Sequence, residues 1–401
     1  MTRDVRTSTA KAQAIALVVG LVSLAAWAAV AVPSPARAMP PYLVGVAFWT
    51  GISLGCLSLV MLHQLVGGGW GVPVRRPMEA GATALPLLAI LFVPIALSLP
   101  SLYPWADPSA FVHYEHLARK TKYLNPGAFV LRSTGYFVIW SVLALLMVRW
   151  SRARDLVETP GGPSARMSTL SGPGLGLIFG TATLAAIDWM MSREPDWTST
   201  IYGPMVIIGW GLATLALMIV VASLMARSGG PLADSLTPDR LNDLGNLLLA
   251  FVMLWAYMSF SQYLIIWSGN LAEEIPWYLR RTSGPYQWVA PALIAFHFAV
   301  PFFLLMFRET KRRKEAIVFI AAGIALMHVL DLAWLILPAS SDPKVGHFMM
   351  TDAPLVVASV VGIGGLWTAL ALRVLDSAPI VMPRDPITGE IAEPPHGGQH
   401  A

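Results

Sequence analysis

Apolar residues run through this chain in long blocks separated by short polar or proline-rich stretches. The blocks cover 13–32, 42–66, 83–100, 130–150, 172–192, 201–225, 243–268, 286–307, 315–337 and 354–376. Each reaches the ~17–25 residues that a helix rising ~1.5 Å per residue needs to cross a bilayer. A soluble core would show period-2 or period-3.6 alternation instead. In lipid the backbone must satisfy its own hydrogen bonds, so the blocks are read as helices. The pattern predicts an all-α integral membrane protein of ten transmembrane helices. One polytopic domain spans 1–380, and a Pro- and Gly-rich stretch at 381–401 reads as a disordered cytoplasmic tail. Prolines mark several span ends: Pro33, Pro35, Pro40, Pro41, Pro100 and Pro338, with Pro354 at a start. Pro86 and Pro94 fall inside the third span and predict a bend there.

Composition agrees with that class. Of 401 residues, 56% are hydrophobic and 12% charged, against roughly 25% charged in soluble domains. The net charge of +4 needs no nucleic-acid partner, because basic residues flank membrane spans for topological reasons. With the N-terminus inside, 18 of the 27 Lys and Arg fall on the cytoplasmic side, and Arg308, Lys311, Arg312, Arg313 and Lys314 form the densest cluster. The bias places both termini in the cytoplasm. Ala36-Arg37-Ala38 has the look of a signal cleavage site, but the preceding apolar stretch exceeds the ~7–15 residues of a signal core, which favours a retained helix.

The single cysteine, Cys56, lies within an apolar block and reads as a core residue. With one cysteine there is no internal disulfide, haem-attachment pair or iron–sulfur ligand set. No P-loop, dinucleotide fingerprint or nucleophile elbow is present. Ionisable groups at membrane depth are costly and therefore functional candidates. They are His63, Asp188, His297, His328 and Asp331, with Glu273 and Glu274 in the 269–285 loop. The i,i+3 spacing of His328 and Asp331 puts them on one helix face. Ordered by depth, the seven could form a proton relay, since histidine titrates near neutrality. Equally, each could be a hydrogen-bonded packing residue. His297 and His328 are the one pair that could hold a haem, but no span carries two histidines, and no cofactor or metal is assigned to the chain. His113, Glu115 and His116 in the 101–129 loop read as one face of an interfacial helix.

The segment 260–278, FSQYLIIWSGNLAEEIPWY, is the most distinctive. It resembles a stretch of quinone-binding subunit 2 of alternative complex III, a quinol:cytochrome c oxidoreductase. That family is related to the NrfD/polysulfide reductase membrane subunits. Gln262, Tyr263, Trp267, Asn270, Glu273 and Glu274 carry the resemblance. It implies two packed four-helix bundles plus two peripheral helices in the bacterial inner membrane, with no redox cofactor bound in this chain. Its expected partners are lipid, a sister NrfD-like subunit, a multihaem cytochrome c and an iron–sulfur protein. A quinone or quinol is the expected small molecule, with no residue assigned to it. The competing class is a secondary transporter, whose signature is a pair of broken helices at corresponding positions in two halves. Pro86 and Pro94 show no clear counterpart in the sequence.

Overall fold

The computed structural model describes residues 3–108, 120–156, 162–227, 230–339, 348–377 and 380. The 109–119 segment expected to carry the interfacial helix and the tail expected at 381–401 lie outside these residues. Among those described there is no strand. Ten helical segments are long and apolar enough to cross a membrane, so this is a multi-pass helical membrane protein.

The spans in chain order are built from α1 (Arg3–Ala31), α2 (Pro35–Val66) and a broken third span of α3 (Arg75–Ala82), α4 (Leu85–Leu91), α5 (Val93–Leu97) and α6 (Leu99–Leu102). Next come α7 (Pro126–Leu156), α8 (Pro163–Trp189), α9 (Tyr202–Met225) and α10 (Pro238–Gly269). A short loop helix, α11 (Ile275–Arg281), precedes the eighth span. That span consists of α12 (Val289–Ala292), a π-helical stretch over Leu293–Ala299, and α13 (Val300–Met306). The short α14 (Arg308–Arg312), then α15 (Lys314–Ile336) and α16 (Phe348–Asp376) complete the chain. The face carrying the start of α1 and the end of α16 is called the terminal face below, and the opposite one the far face.

Pro40 and Pro41 lie inside α2 and Pro354 inside α16 rather than at their ends, and two further differences from the sequence expectation have plain causes. The third span starts at Arg75 rather than 83, because its charged first turn is hidden inside the protein rather than left in water. Glu79 is buried and accepts from Arg75 Nε at 2.9 Å, Arg76 Nη1 at 2.6 Å and Ser151 Oγ at 2.5 Å. Arg76 also pairs with Asp155. Hydropathy cannot register charges that neutralise one another. Further along, Pro86, Pro94 and Pro100 each open a new short helix, because proline has no N–H to continue the ladder behind it. The Tyr42 hydroxyl donates to Leu91 O at 2.7 Å and caps one freed carbonyl.

The eighth span is the second difference. Pro301 follows the π stretch directly, and its missing donor shifts the hydrogen-bond register upstream. The third span is therefore not the sole interrupted one. The two interruptions do not occupy corresponding places, however. The third span is second in its group of four, and the eighth is third in its own.

Those groups are the architecture. The second to fifth spans pack in a ring (second on third, third on fourth, fourth on fifth, fifth on second), and the sixth to ninth repeat that order. The groups meet along the second and sixth spans, flanked by fifth-on-sixth and second-on-ninth contacts. The first and tenth spans pack on each other and lie against the second. Small residues permit the close approaches, as expected for helices in lipid. A Cβ at Gly20 would sit 2.9 Å from Gly362 O, and one at Gly55 would sit 2.7 Å from Thr214 Cβ.

Candidate functional site

The candidate site lies inside the second group, where α10, the π stretch, α15 and α9 converge. His297 comes from the π stretch, and His328 and Asp331 from one face of α15. All three are buried. Their ligand-type atoms lie within 4.8 Å of one another. The two imidazoles are nearly parallel, 17° apart with centroids at 6.1 Å. His328 Nδ1 is 3.5 Å from Asp331 Oδ2, within ion-pair reach but too long for a good hydrogen bond. Among the described residues, none of the four ring nitrogens has a hydrogen-bond partner. Buried donors and acceptors left open cost about 1–3 kcal/mol each, so polar groups at this place call for a function.

Trp255 on α10 completes the site. Its Nε1 donates to Asp331 Oδ2 at 3.1 Å, and its ring stands at 87° to His297 with centroids 4.4 Å apart. On the opposite wall Gly209 of α9 makes room. A Cβ there would come 2.7 Å from His328 Cε1 and 3.8 Å from Asp331 Oδ2. The spacing suits a shared cation. A metal-bound histidine normally donates its other ring N–H to an acceptor that fixes its orientation, and neither histidine does so here. A mobile proton fits the donor set better, because each neutral imidazole offers one lone pair and one N–H.

The seven groups placed in depth order by the sequence do not form one line. Asp188 belongs to the other group, near the end of α8. It is fully buried and accepts from Arg132 Nε at 2.9 Å, Arg132 Nη2 at 3.0 Å and the Tyr136 hydroxyl at 2.8 Å. Arg132 is stacked on Tyr123 at 3.9 Å. His63 closes the terminal-face end of α2, with Nε2 2.9 Å from Gly68 O and its ring edge-on to Trp70. Glu273 is exposed and Glu274 half-buried at the start of α11 on the far face. Three of the seven, His297, His328 and Asp331, come together, and four do not.

The residues of the 260–278 segment have separate local roles. Gln262 is buried and accepts from Ser199 Oγ at 2.5 Å. Tyr263 packs edge-on against Tyr278, and Trp267 is exposed. Asn270 adopts φ 47°, ψ 38° and ends α10, its N–H donating to Ile266 O. Asparagine is one of the few side chains that accept this left-handed conformation. Burial pushes the Tyr278 phenol up, against the pull of Arg281, so it stays a neutral donor.

A second network, absent from the sequence reading, covers the far-face end of α15. Glu194 accepts from Arg281 at 2.6 Å and Arg280 at 2.8 Å. Arg281 lies 3.7 Å over the Trp277 ring and donates to Trp334 O and Leu335 O, while Arg193 donates to Ile336 O. Trp255 and Arg132 gave little sequence signal. An aromatic inside a span looks like core, and an arginine at a span end looks like a topology marker.

Fold and site together define a polytopic α-helical membrane protein with a buried, under-bonded histidine–aspartate triad in one of two similar four-helix groups. No protein-family model matches the chain, and no curated protein matches it at significant similarity.

Proposed function

We propose that this chain is a proton-conducting membrane subunit of a quinol:cytochrome c oxidoreductase of the alternative complex III type. It would sit in the bacterial inner membrane with both termini cytoplasmic. The observation that carries the reading is the triad: two imidazoles with spare lone pairs beside a carboxylate that no lysine or arginine among the described residues pairs with, at membrane depth. Such groups accept and pass protons, and little else justifies their cost in lipid. The segment 260–278 and the two groups of four helices support the family. The 18-to-9 division of basic residues supports the orientation. Lacking ligands for iron–sulfur clusters, the chain would depend for electron transfer on a sister NrfD-like subunit, a multihaem cytochrome c and an iron–sulfur protein. Quinol would be oxidised in that assembly.

The test is gentle purification of the tagged chain from native membranes. Co-purifying c-type haem absorbance with quinol:cytochrome c activity is expected. Isolation as a lone protein that moves a solute after reconstitution would reject the reading in favour of a transporter, although the two interrupted spans do not occupy the corresponding places that class requires. Reporter fusions at residue 310 should read as cytoplasmic and at residue 280 as exported. An exported reporter at 310 would overturn the orientation.

A further inference from the structure

The triad contains one contact that a proton relay does not obviously require. Asp331 has neighbours on its own helix and on three other elements: His328 on α15, His297 from the π stretch, Trp255 from α10, and Gly209 from α9. Of these neighbours, Trp255 alone among the described residues donates a hydrogen bond to the carboxylate. It does so to Oδ2, the same oxygen that faces His328 Nδ1. The same indole also abuts the His297 ring. One side chain therefore touches the acid and one of the two bases.

We propose that Trp255 is a positioning residue for proton transfer within the triad, an inference that rests on the proton-conducting reading above. Its indole N–H holds Oδ2 facing His328 Nδ1, the two atoms between which the proton would pass. Three properties of the indole fit the task. It is a donor only, so it cannot compete with the histidines for the carboxylate's proton. It does not ionise in the physiological range, so it holds the carboxylate without becoming a member of the chain. It is wide and rigid, so one ring fixes the acid on α15 and limits the tilt of His297 on the π stretch. Serine or asparagine could donate as well, but neither could also form the wall against His297. A carboxylate without this anchor would rotate about χ2, and the 3.5 Å approach to His328 would be one of several orientations.

The test separates the N–H from the bulk of the ring. Trp255 is replaced in the purified complex by β-(3-benzothienyl)alanine, which keeps the bicyclic shape with sulfur in place of the N–H, and in parallel by phenylalanine. Infrared difference spectra, with Asp331→Asn identifying the band, report the Asp331 carboxylate, and proteoliposomes report proton movement. The expected result is a shifted Asp331 band in both variants and a proton-transfer rate about tenfold lower, the size of one charge-assisted hydrogen bond. Haem content and assembly of the benzothienyl form should match wild type. A wild-type band and rate in the benzothienyl form, with impairment confined to Trp255→Phe, would reduce Trp255 to packing and overturn the inference. If Asp331→Asn itself leaves proton movement unchanged, the proton-conducting reading fails. The band shift would then still decide whether the indole N–H sets the carboxylate, so the two failures are distinguishable.

Discussion

The two four-helix groups each bury an aspartate toward the far-face end of their fourth helix, and surround it in opposite ways. Asp188 is held by both arms of Arg132 and by the Tyr136 hydroxyl. Asp331 receives one indole N–H and faces two histidines that carry no hydrogen bonds. In the first group the charge is cancelled by a fixed cation and the carboxylate accepts three hydrogen bonds. In the second, among the described residues, no lysine or arginine pairs with the carboxylate, and His328 Nδ1 is the nearest basic atom, 3.5 Å away. The comparison teaches that a buried acid acquires chemistry from what its neighbours leave undone. One group has become a brace and the other keeps a vacancy for charge.

Breaking the brace should have the largest effect. Arg132→Ala leaves Asp188 buried without its cation, and losing one partner of a buried pair costs about 3–5 kcal/mol. A large fall in the thermal unfolding midpoint of the detergent-solubilised protein is expected. An unchanged midpoint would mean that the pair is not structural. Asp331→Asn tests the other half. The amide keeps the shape and accepts from Trp255, so assembly should be intact while proton movement falls by about 100-fold, at the lower end of what general acid–base groups contribute. Loss of assembly with normal proton movement in the residue that does assemble would reverse the contrast.

Two smaller changes sharpen it. Gly209→Ala drives a methyl against the His328 ring, where the Cβ would lie 2.7 Å from Cε1. Overpacking of this kind costs about 1–3 kcal/mol, and proton movement should fall with it. Alanine at Gly180, where a Cβ meets nothing, is the matched control in the first group. Asn270→Ala should cost about 1 kcal/mol, because alanine resists the left-handed turn that ends α10. Asn270→Gly should be close to neutral. Equal stability of the two would show that the turn relaxes.

Span number and helical class were legible because apolar runs of bilayer length have one stable solution. Span edges were less so. The first turn of α3 was invisible because Arg75, Arg76 and Glu79 look polar until their mutual pairing is seen. His297, His328 and Asp331 stood out as isolated ionisable residues in apolar surroundings. Their convergence depended on how the eighth and ninth spans rotate, which a single sequence does not specify. Asp188 carried the same signal and turned out braced, because Arg132 read as a topology marker. The depth ordering misled for a related reason. Depth along separate helices says nothing about which helices are neighbours. Pro301 was the available clue to the interrupted eighth span, and its proximity to His297 was the part worth weighing.

The arginine cap on the far face has a mechanical consequence. Helix carbonyls at a C-terminus carry partial negative charge, and guanidinium groups from two different loops grip three successive carbonyls at the end of α15. Arg193 follows directly on α8, and Arg281 ends α11. The ninth helix is thus anchored like a piston rod bolted at one end. It cannot slide or spin without pulling on the end of the fifth. A change in the distance between the two imidazoles is therefore expected to come from the eighth span. There the π-helical register already spaces the turns loosely around His297.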